Sequence, residues 1–203
     1  MSFSVWALFV LTESVLCLTP GPAVLLVIAH ALTRGAAAAA WAALGILSAN
    51  ALYFALSATG LGAVLVASYE LFSLLRWLGA AYLVWLGVRL LIGRSAVRPS
   101  ATPAVGAGRR TFVNGFALQA ANPKALLFFV ALLPQFIDPA GRVAPQILVL
   151  GVTSVVIELV VLLAYGAAAG RFHALAENPR FARVAGAVAG TMLVGAAIEA
   201  ARA

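Results

Sequence analysis

Six long apolar segments constrain this sequence more than any other feature. They lie at about 3–32, 36–66, 71–92, 112–136, 143–169 and 181–200, and a helix needs about 20 apolar residues to cross a bilayer. Apolar residues make up 64% of the chain and charged residues only 9%, against about 25% charged residues in a soluble domain. A soluble fold would need far more polar surface to cover its core. The sequence therefore predicts an all-α membrane protein with six transmembrane helices, and it excludes an ordinary soluble enzyme.

A stretch rich in Ala, Pro, Gly and Ser separates the third apolar segment from the fourth. It is the only part of the chain that resembles a linker. We predict one transmembrane domain over 1–203, with a first repeat at 1–93, a cytoplasmic linker at 94–111 and a second repeat at 112–203. Three spans per repeat is an odd number, so the second repeat enters the membrane from the opposite side. Two inverted three-helix repeats would result.

The arginines between the segments predict how the protein is oriented. Nine of them lie in or beside three loops on one side, and three lie on the other side. The positive-inside rule places the arginine-bearing loops in the cytoplasm, and both termini in the periplasm of a bacterial inner membrane. The net charge of +7 does not indicate nucleic-acid binding, because the arginines flank apolar runs instead of forming a basic face. The nine are Arg34, Arg89, Arg94, Arg98, Arg109, Arg110, Arg171, Arg180 and Arg183.

Each repeat carries a proline break near the middle of its first apolar segment, which predicts that helices one and four are broken. A proline inside a helix frees the carbonyl four residues earlier. Thr19 and Asn122 precede these prolines and are good N-cap types, so each is predicted to begin a half-helix in mid-membrane. The N-terminus of such a half-helix has a partial positive charge that suits a carboxylate. The predicted substrate-binding residues are Thr19, Pro20, Gly21, Pro22, Asn122, Pro123 and Lys124.

Three ionisable residues, Glu13, Lys124 and Glu158, lie near the middle of apolar segments. Each costs about 2.5–3.5 kcal/mol to insert at the bilayer centre, and such residues mark pathways, relays or ion pairs. We expect Lys124 to favour an anionic group of the substrate. We expect Glu13 and Glu158 to hold a substrate ammonium or to exchange a proton. The alternative is a structural ion pair between Lys124 and one of the two glutamates.

Other intramembrane features favour packing. The spacing of the glycines at 166–170 and 186–190 allows two helices to approach closely. Asn50 is expected to form an interhelical hydrogen bond or to line a cavity. No cluster of Cys, His and carboxylate side chains suggests a metal site, and no phosphate-binding or serine-nucleophile motif is present. No catalytic residue, metal or cofactor is therefore predicted.

Three stretches of sequence carry a family resemblance: LTPGPAVLLVIAHALTRG at 18–35, LGAAYLVWLGVRLL at 78–91 and FVNGFALQAANPKALLFFVALLPQF at 112–136. Together they resemble the lysine exporter (LysE/RhtB) superfamily of bacterial amino-acid exporters. The resemblance implies a six-helix inner-membrane exporter coupled to the proton gradient, with site positions at 20–22 and 122–124. Glu158 is similar to an acidic position in the fifth span of the family. Ala23 departs from the family, which commonly has Asn or Asp there.

We therefore predict a secondary active exporter of amino acids or close derivatives, not an enzyme. Its partners would be the amino acid, protons and the lipid bilayer, and the sequence leaves self-association open. A passive channel for small solutes is one alternative. A membrane thiol or redox transfer protein is another, but it would need paired cysteines, and Cys17 is the only one in the chain.

Overall fold

The computed structural model describes residues 1–58 and 107–172, together with individual positions between 77 and 92 and between 184 and 198. These residues form helices and the turns between them, and they contain no strand. The six α-helices of the two described ranges are α1 (Phe3–Leu18), α2 (Pro22–Arg34), α3 (Ala36–Ala58), α4 (Ala107–Ala120), α5 (Pro123–Leu127) and α6 (Val143–Gly170). A π-helical turn and a 3₁₀ turn extend α5 through Phe128–Leu132 and Leu133–Phe136.

Two described helices, α3 and α6, are each long and apolar enough to cross a membrane. Two broken pairs, α1 with α2 and α4 with α5 extended to Phe136, reach the same criterion when each pair is taken together, which gives up to four spans in the described residues. The all-helical membrane character is thus confirmed. The third and sixth predicted segments lie almost wholly outside the described ranges, as does the linker up to residue 106. The six-span repeat therefore stays a prediction, and α4 already begins at Ala107.

Close backbone contact between α3 and α4 forms the centre of the described part. A Cβ atom added at Gly45 would lie 2.1 Å from the carbonyl oxygen of Phe112, and one at Gly115 would lie 2.2 Å from that of Ala42. Only glycine permits this approach, because the backbone of the facing helix occupies the space of a side chain. The two helices therefore pack with their backbones in contact.

The glycine pattern at 166–170 packs as predicted. Cβ atoms added at Gly166 and Gly170 would lie 3.3 Å and 3.8 Å from the Cβ atoms of Ala39 and Ala36 on α3. In the second pattern, residue 186 lies outside the described residues. A Cβ atom at its other glycine, Gly190, would lie 2.7 Å from the carbonyl oxygen of Gly87. Small residues thus allow α6 to approach α3 closely.

Described arginines of the three predicted cytoplasmic loops lie at one end of the helix bundle. The start of α3 meets both the start of α4 and the end of α6. Arg34 and Arg171 flank α3 and α6 at these ends, and Arg109 lies in the first turn of α4. Members of all three arginine-bearing loops therefore lie at one end of the helix bundle.

Candidate functional site

The first helix break differs from its prediction at Thr19. Thr19 ends α1 instead of beginning α2: its N–H and its hydroxyl both donate to the carbonyl of Val15, at 3.1 Å and 2.8 Å. The N-cap of α2 is Gly21, with φ −130° and ψ −171°, and Pro22 takes the first helical position. The N-cap role predicted for Thr19 is therefore wrong. The reason is the second proline, because Pro22 disfavours a helical conformation of Gly21, so a helix cannot begin at Pro20 and begins at Pro22 instead.

The second break confirms its prediction. Asn122 is the N-cap of α5, and its side-chain oxygen accepts a hydrogen bond from the backbone N–H of Lys124 at 3.1 Å. Pro123 takes the first helical position. The bend between the two helices of the pair is 50° here and 51° at the first break. The two breaks thus have nearly the same angle, although only the second has a side-chain cap.

The carbonyls that the prolines free find partners inside the protein. Leu18 accepts a hydrogen bond from the Tyr165 hydroxyl at 2.8 Å. Gln119 accepts one from the backbone N–H of Asn122 at 3.0 Å. This is what a membrane interior demands, because an unpaired backbone group in hydrocarbon costs several kcal/mol.

Lys124 connects the two breaks. Its ammonium Nζ donates to the carbonyl oxygens of Leu16 and Thr19, at 2.5 Å and 3.0 Å. These carbonyls lie at the C-terminal end of α1, where the helix dipole favours a cation. Lys124 Nζ donates to these carbonyls and to neither Glu13 nor Glu158. The structure therefore does not contain the alternative, an ion pair between Lys124 and a glutamate.

Both intramembrane glutamates are buried and hydrogen-bonded to α6 or α3. Glu13 accepts a hydrogen bond from the Ser154 hydroxyl at 2.5 Å, and the Cys17 sulfur lies 3.8 Å from the same carboxylate oxygen. Glu158 accepts a hydrogen bond from the side-chain amide of Asn50. Ser154 and Glu158 are four residues apart on α6, so they present adjacent groups on one helix face. Two carboxylates therefore face the centre of the described bundle.

A chain of side-chain amides extends from Glu158 to the second break. Gln119 Nε2 donates to Asn50 Oδ1 at 2.8 Å, and Asn122 Nδ2 donates to Gln119 Oε1 at 2.9 Å. Asn50 therefore forms the predicted interhelical hydrogen bonds. Gln119 and Ser154 are not among the predicted site residues. Their spacing in the sequence could have indicated them, because Gln119 lies one helical turn before Asn122 and Ser154 lies one turn before Glu158.

These groups surround one cavity of about 590 Å³, which falls in the range of roughly 300–1,000 Å³ typical of small-molecule sites. Every residue of the predicted site lines it except Pro20, which is exposed. Among the described residues, no three His, Cys, Asp or Glu side chains are grouped as a metal site would require. The polar lining residues beyond the predicted site are Cys17, Asn50, Gln119 and Ser154, and the apolar wall includes Leu127, Phe128, Phe129, Leu132, Val161 and Leu162.

The family model and the named relatives that this chain resembles point to the same kind of protein. Residues 14–203 match the family model described as LysE type translocator. A homoserine/homoserine lactone efflux protein of Salmonella typhi is 31% identical, over 100% of this chain and 99% of the relative. An uncharacterized membrane protein of Vibrio cholerae is 33% identical over 96% and 95%, and a leucine efflux protein of Salmonella choleraesuis is 29% identical over 88% and 85%. No solved structure matches the chain with statistical significance.

Proposed function

Because this chain belongs to the LysE type translocator family, we propose that it is a secondary active exporter of amino acids or close derivatives across the bacterial inner membrane. Family membership confirms the resemblance that the motifs predicted. The observation that carries the proposal is the cavity, which has a cation and an uncapped helix N-terminus near one wall and two carboxylates on others. A zwitterion such as an amino acid matches this separation of charge. The relatives named for efflux of homoserine, its lactone and leucine support this substrate class.

The carboxylate of the substrate binds at the N-terminus of α2. No side chain caps that terminus, and its first residues, including Ala23 and Val24, line the cavity. A Cβ atom at Gly21 would lie 3.9 Å from Lys124 Nζ, so the ammonium of Lys124 stands beside the same helix end. Free amides, the helix dipole and a cation together form an anion site. The N-terminus of α5 is already capped by Asn122, so we assign the carboxylate to one break instead of to both.

The ammonium of the substrate binds at Glu158 or Glu13. Both carboxylates line the cavity, and a buried charge requires a partner of the opposite sign. The carbonyls at the end of α1 are already occupied by Lys124, which leaves the glutamates as the acceptors for a second cation. The apolar wall then contacts the side chain of the amino acid.

Export is driven by exchange with protons, with one glutamate as the proton carrier, and by rocking of two inverted three-helix halves about the cavity. The equal angles of the two breaks support the repeat. The arginines at one end of the bundle support a cytoplasmic location for that end and periplasmic termini.

Uptake into inverted membrane vesicles with an imposed pH gradient tests this function. We expect accumulation of homoserine or leucine that depends on the gradient and is lost in Glu158→Gln vesicles. Asp138→Asn is the matched control, because Asp138 is exposed and does not line the cavity. No gradient-dependent transport of any amino acid would contradict the proposal. Conductive flux without a gradient would indicate the passive channel instead.

A further inference from the structure

The direction of the amide chain is fixed at the N-terminus of α5. The backbone N–H of Lys124 donates to Asn122 Oδ1, and a backbone N–H can only donate. Asn122 must therefore present its oxygen to α5 and its NH₂ group to Gln119, at 2.9 Å. The same constraint passes along the chain, so Gln119 donates to Asn50 and Asn50 donates to Glu158.

Burial makes this direction difficult to reverse. Asn122, Gln119 and Asn50 are 3%, 4% and 6% exposed, and Glu158 is 8% exposed. Amides at this depth must find their partners in the protein, and each unpaired group would cost about 1–3 kcal/mol. A reversed amide would place two donors or two acceptors against each other. The chain therefore always ends in a donor that faces Glu158.

We propose that Asn50, Gln119 and Asn122 are positioning residues, which hold one carboxylate oxygen of Glu158 so that the other oxygen faces the cavity and receives the ammonium of the substrate. Asn50 donates to Glu158 Oε2, and the described residues provide no hydrogen bond to Oε1. Asn50 lies on α3, Gln119 on α4 and Glu158 on α6, so the chain also joins the two predicted halves. The positioning of Glu158 toward the substrate rests on the proposed export, whereas the direction of the hydrogen bonds in the amide chain does not.

A double-mutant cycle on the purified full-length protein tests whether the amide chain exists. Asn50→Asp places two carboxylates side by side, and we expect Tm to fall by roughly 5 °C. Adding Glu158→Gln should restore most of this loss, because the new amide at 158 donates to the new carboxylate at 50 and Gln119 keeps its acceptor. Asn114→Asp, an exposed position of α4, is the matched control and should combine additively with Glu158→Gln. Equal losses in Asn50→Asp and in the double variant would overturn the proposal.

The role in transport has a separate readout. Gln119→Met keeps the length of the side chain but breaks the chain two steps from Glu158. We expect KM for the exported amino acid to rise roughly tenfold while the maximal rate per folded protein stays unchanged. Gln135→Met, which alters an exposed glutamine, is the control. A fall in maximal rate with constant KM would overturn the positioning role. If the wild type transports no amino acid, the export proposal fails. The double-mutant cycle still decides whether the amide chain exists.

Discussion

Lys124 is the single lysine of the chain. It hydrogen-bonds to the end of α1 and also lies beside the proposed binding site of the substrate carboxylate. Its ammonium closes the end of α1 through the carbonyls of Leu16 and Thr19, and it also stands beside the start of α2. One cation therefore neutralises the negative end of one half-helix and reinforces the positive end of the next.

Replacing Lys124 with Met is predicted to lower both stability and affinity. The carbonyls of half-buried Leu16 and exposed Thr19 lose a charged donor, and a hydrogen bond to a charged group contributes about 1.5–3 kcal/mol. The anion site also loses its charge. Thermal unfolding in detergent and the KM for export measure the two effects. Arg142→Met is the control, because Arg142 is an exposed cation at the start of α6. A Lys124→Met protein that unfolds at the wild-type temperature would contradict the structural role.

At the scale of elements, the two helix breaks show how far sequence reasoning extends. The existence of both breaks and the N-cap at Asn122 followed from proline chemistry alone. The exact start of α2 was predicted wrongly, because Pro20 and Pro22 can each take the first helical position and the effect of Pro22 on Gly21 was not considered. The amide chain could not be predicted from local sequence either, because Asn50 and Gln119 come into contact only when α3 and α4 pack together.

The α3–α4 contact predicts a sharp difference between two glycines. Gly115→Ala would place a Cβ atom 2.2 Å from a backbone oxygen of α3, whereas Gly170→Ala would place one 3.8 Å from the Cβ atom of Ala36. We expect Gly115→Ala to cost about 1–3 kcal/mol or more, as overpacking does, and Gly170→Ala to be tolerated. Thermal unfolding of the two variants compares them directly. Equal unfolding temperatures would mean that the two helices do not touch through their backbones.

Gly21→Ala is predicted to separate folding from function at the first break. The backbone of Gly21 is extended, so alanine fits without strain, and its Cβ would lie 3.6 Å from Lys124 Cδ in ordinary contact. Stability should therefore change by less than about 0.5 kcal/mol. The methyl group would occupy the approach to the free amides of α2, and the affinity for substrate should fall roughly tenfold, which is about 1.4 kcal/mol. An unchanged KM would place the carboxylate elsewhere.

At the scale of the whole molecule, the two broken spans place polar groups around one cavity, while most of the surface of α1 and α6 remains apolar. Exposed side chains on these helices include Leu8, Leu11 and Val15 on α1 and Val152, Val156 and Val160 on α6, as a bilayer requires. The lining residues come from both predicted halves. A relative movement of the halves would therefore change access to the site without breaking either half.

This cavity is proposed to bind the exported zwitterion, and the single cysteine of the chain can report on that binding directly. Cys17 lines the cavity beside Glu13, so an amino acid in the site should slow its alkylation by a small uncharged maleimide in purified protein. We predict protection by leucine or homoserine that saturates at the concentration that half-saturates export. Analogues that lack either the carboxylate or the ammonium group should protect much less, and Cys17→Ser gives the background. An alkylation rate that stays constant at amino-acid concentrations that saturate export would show that the substrate does not bind in this cavity.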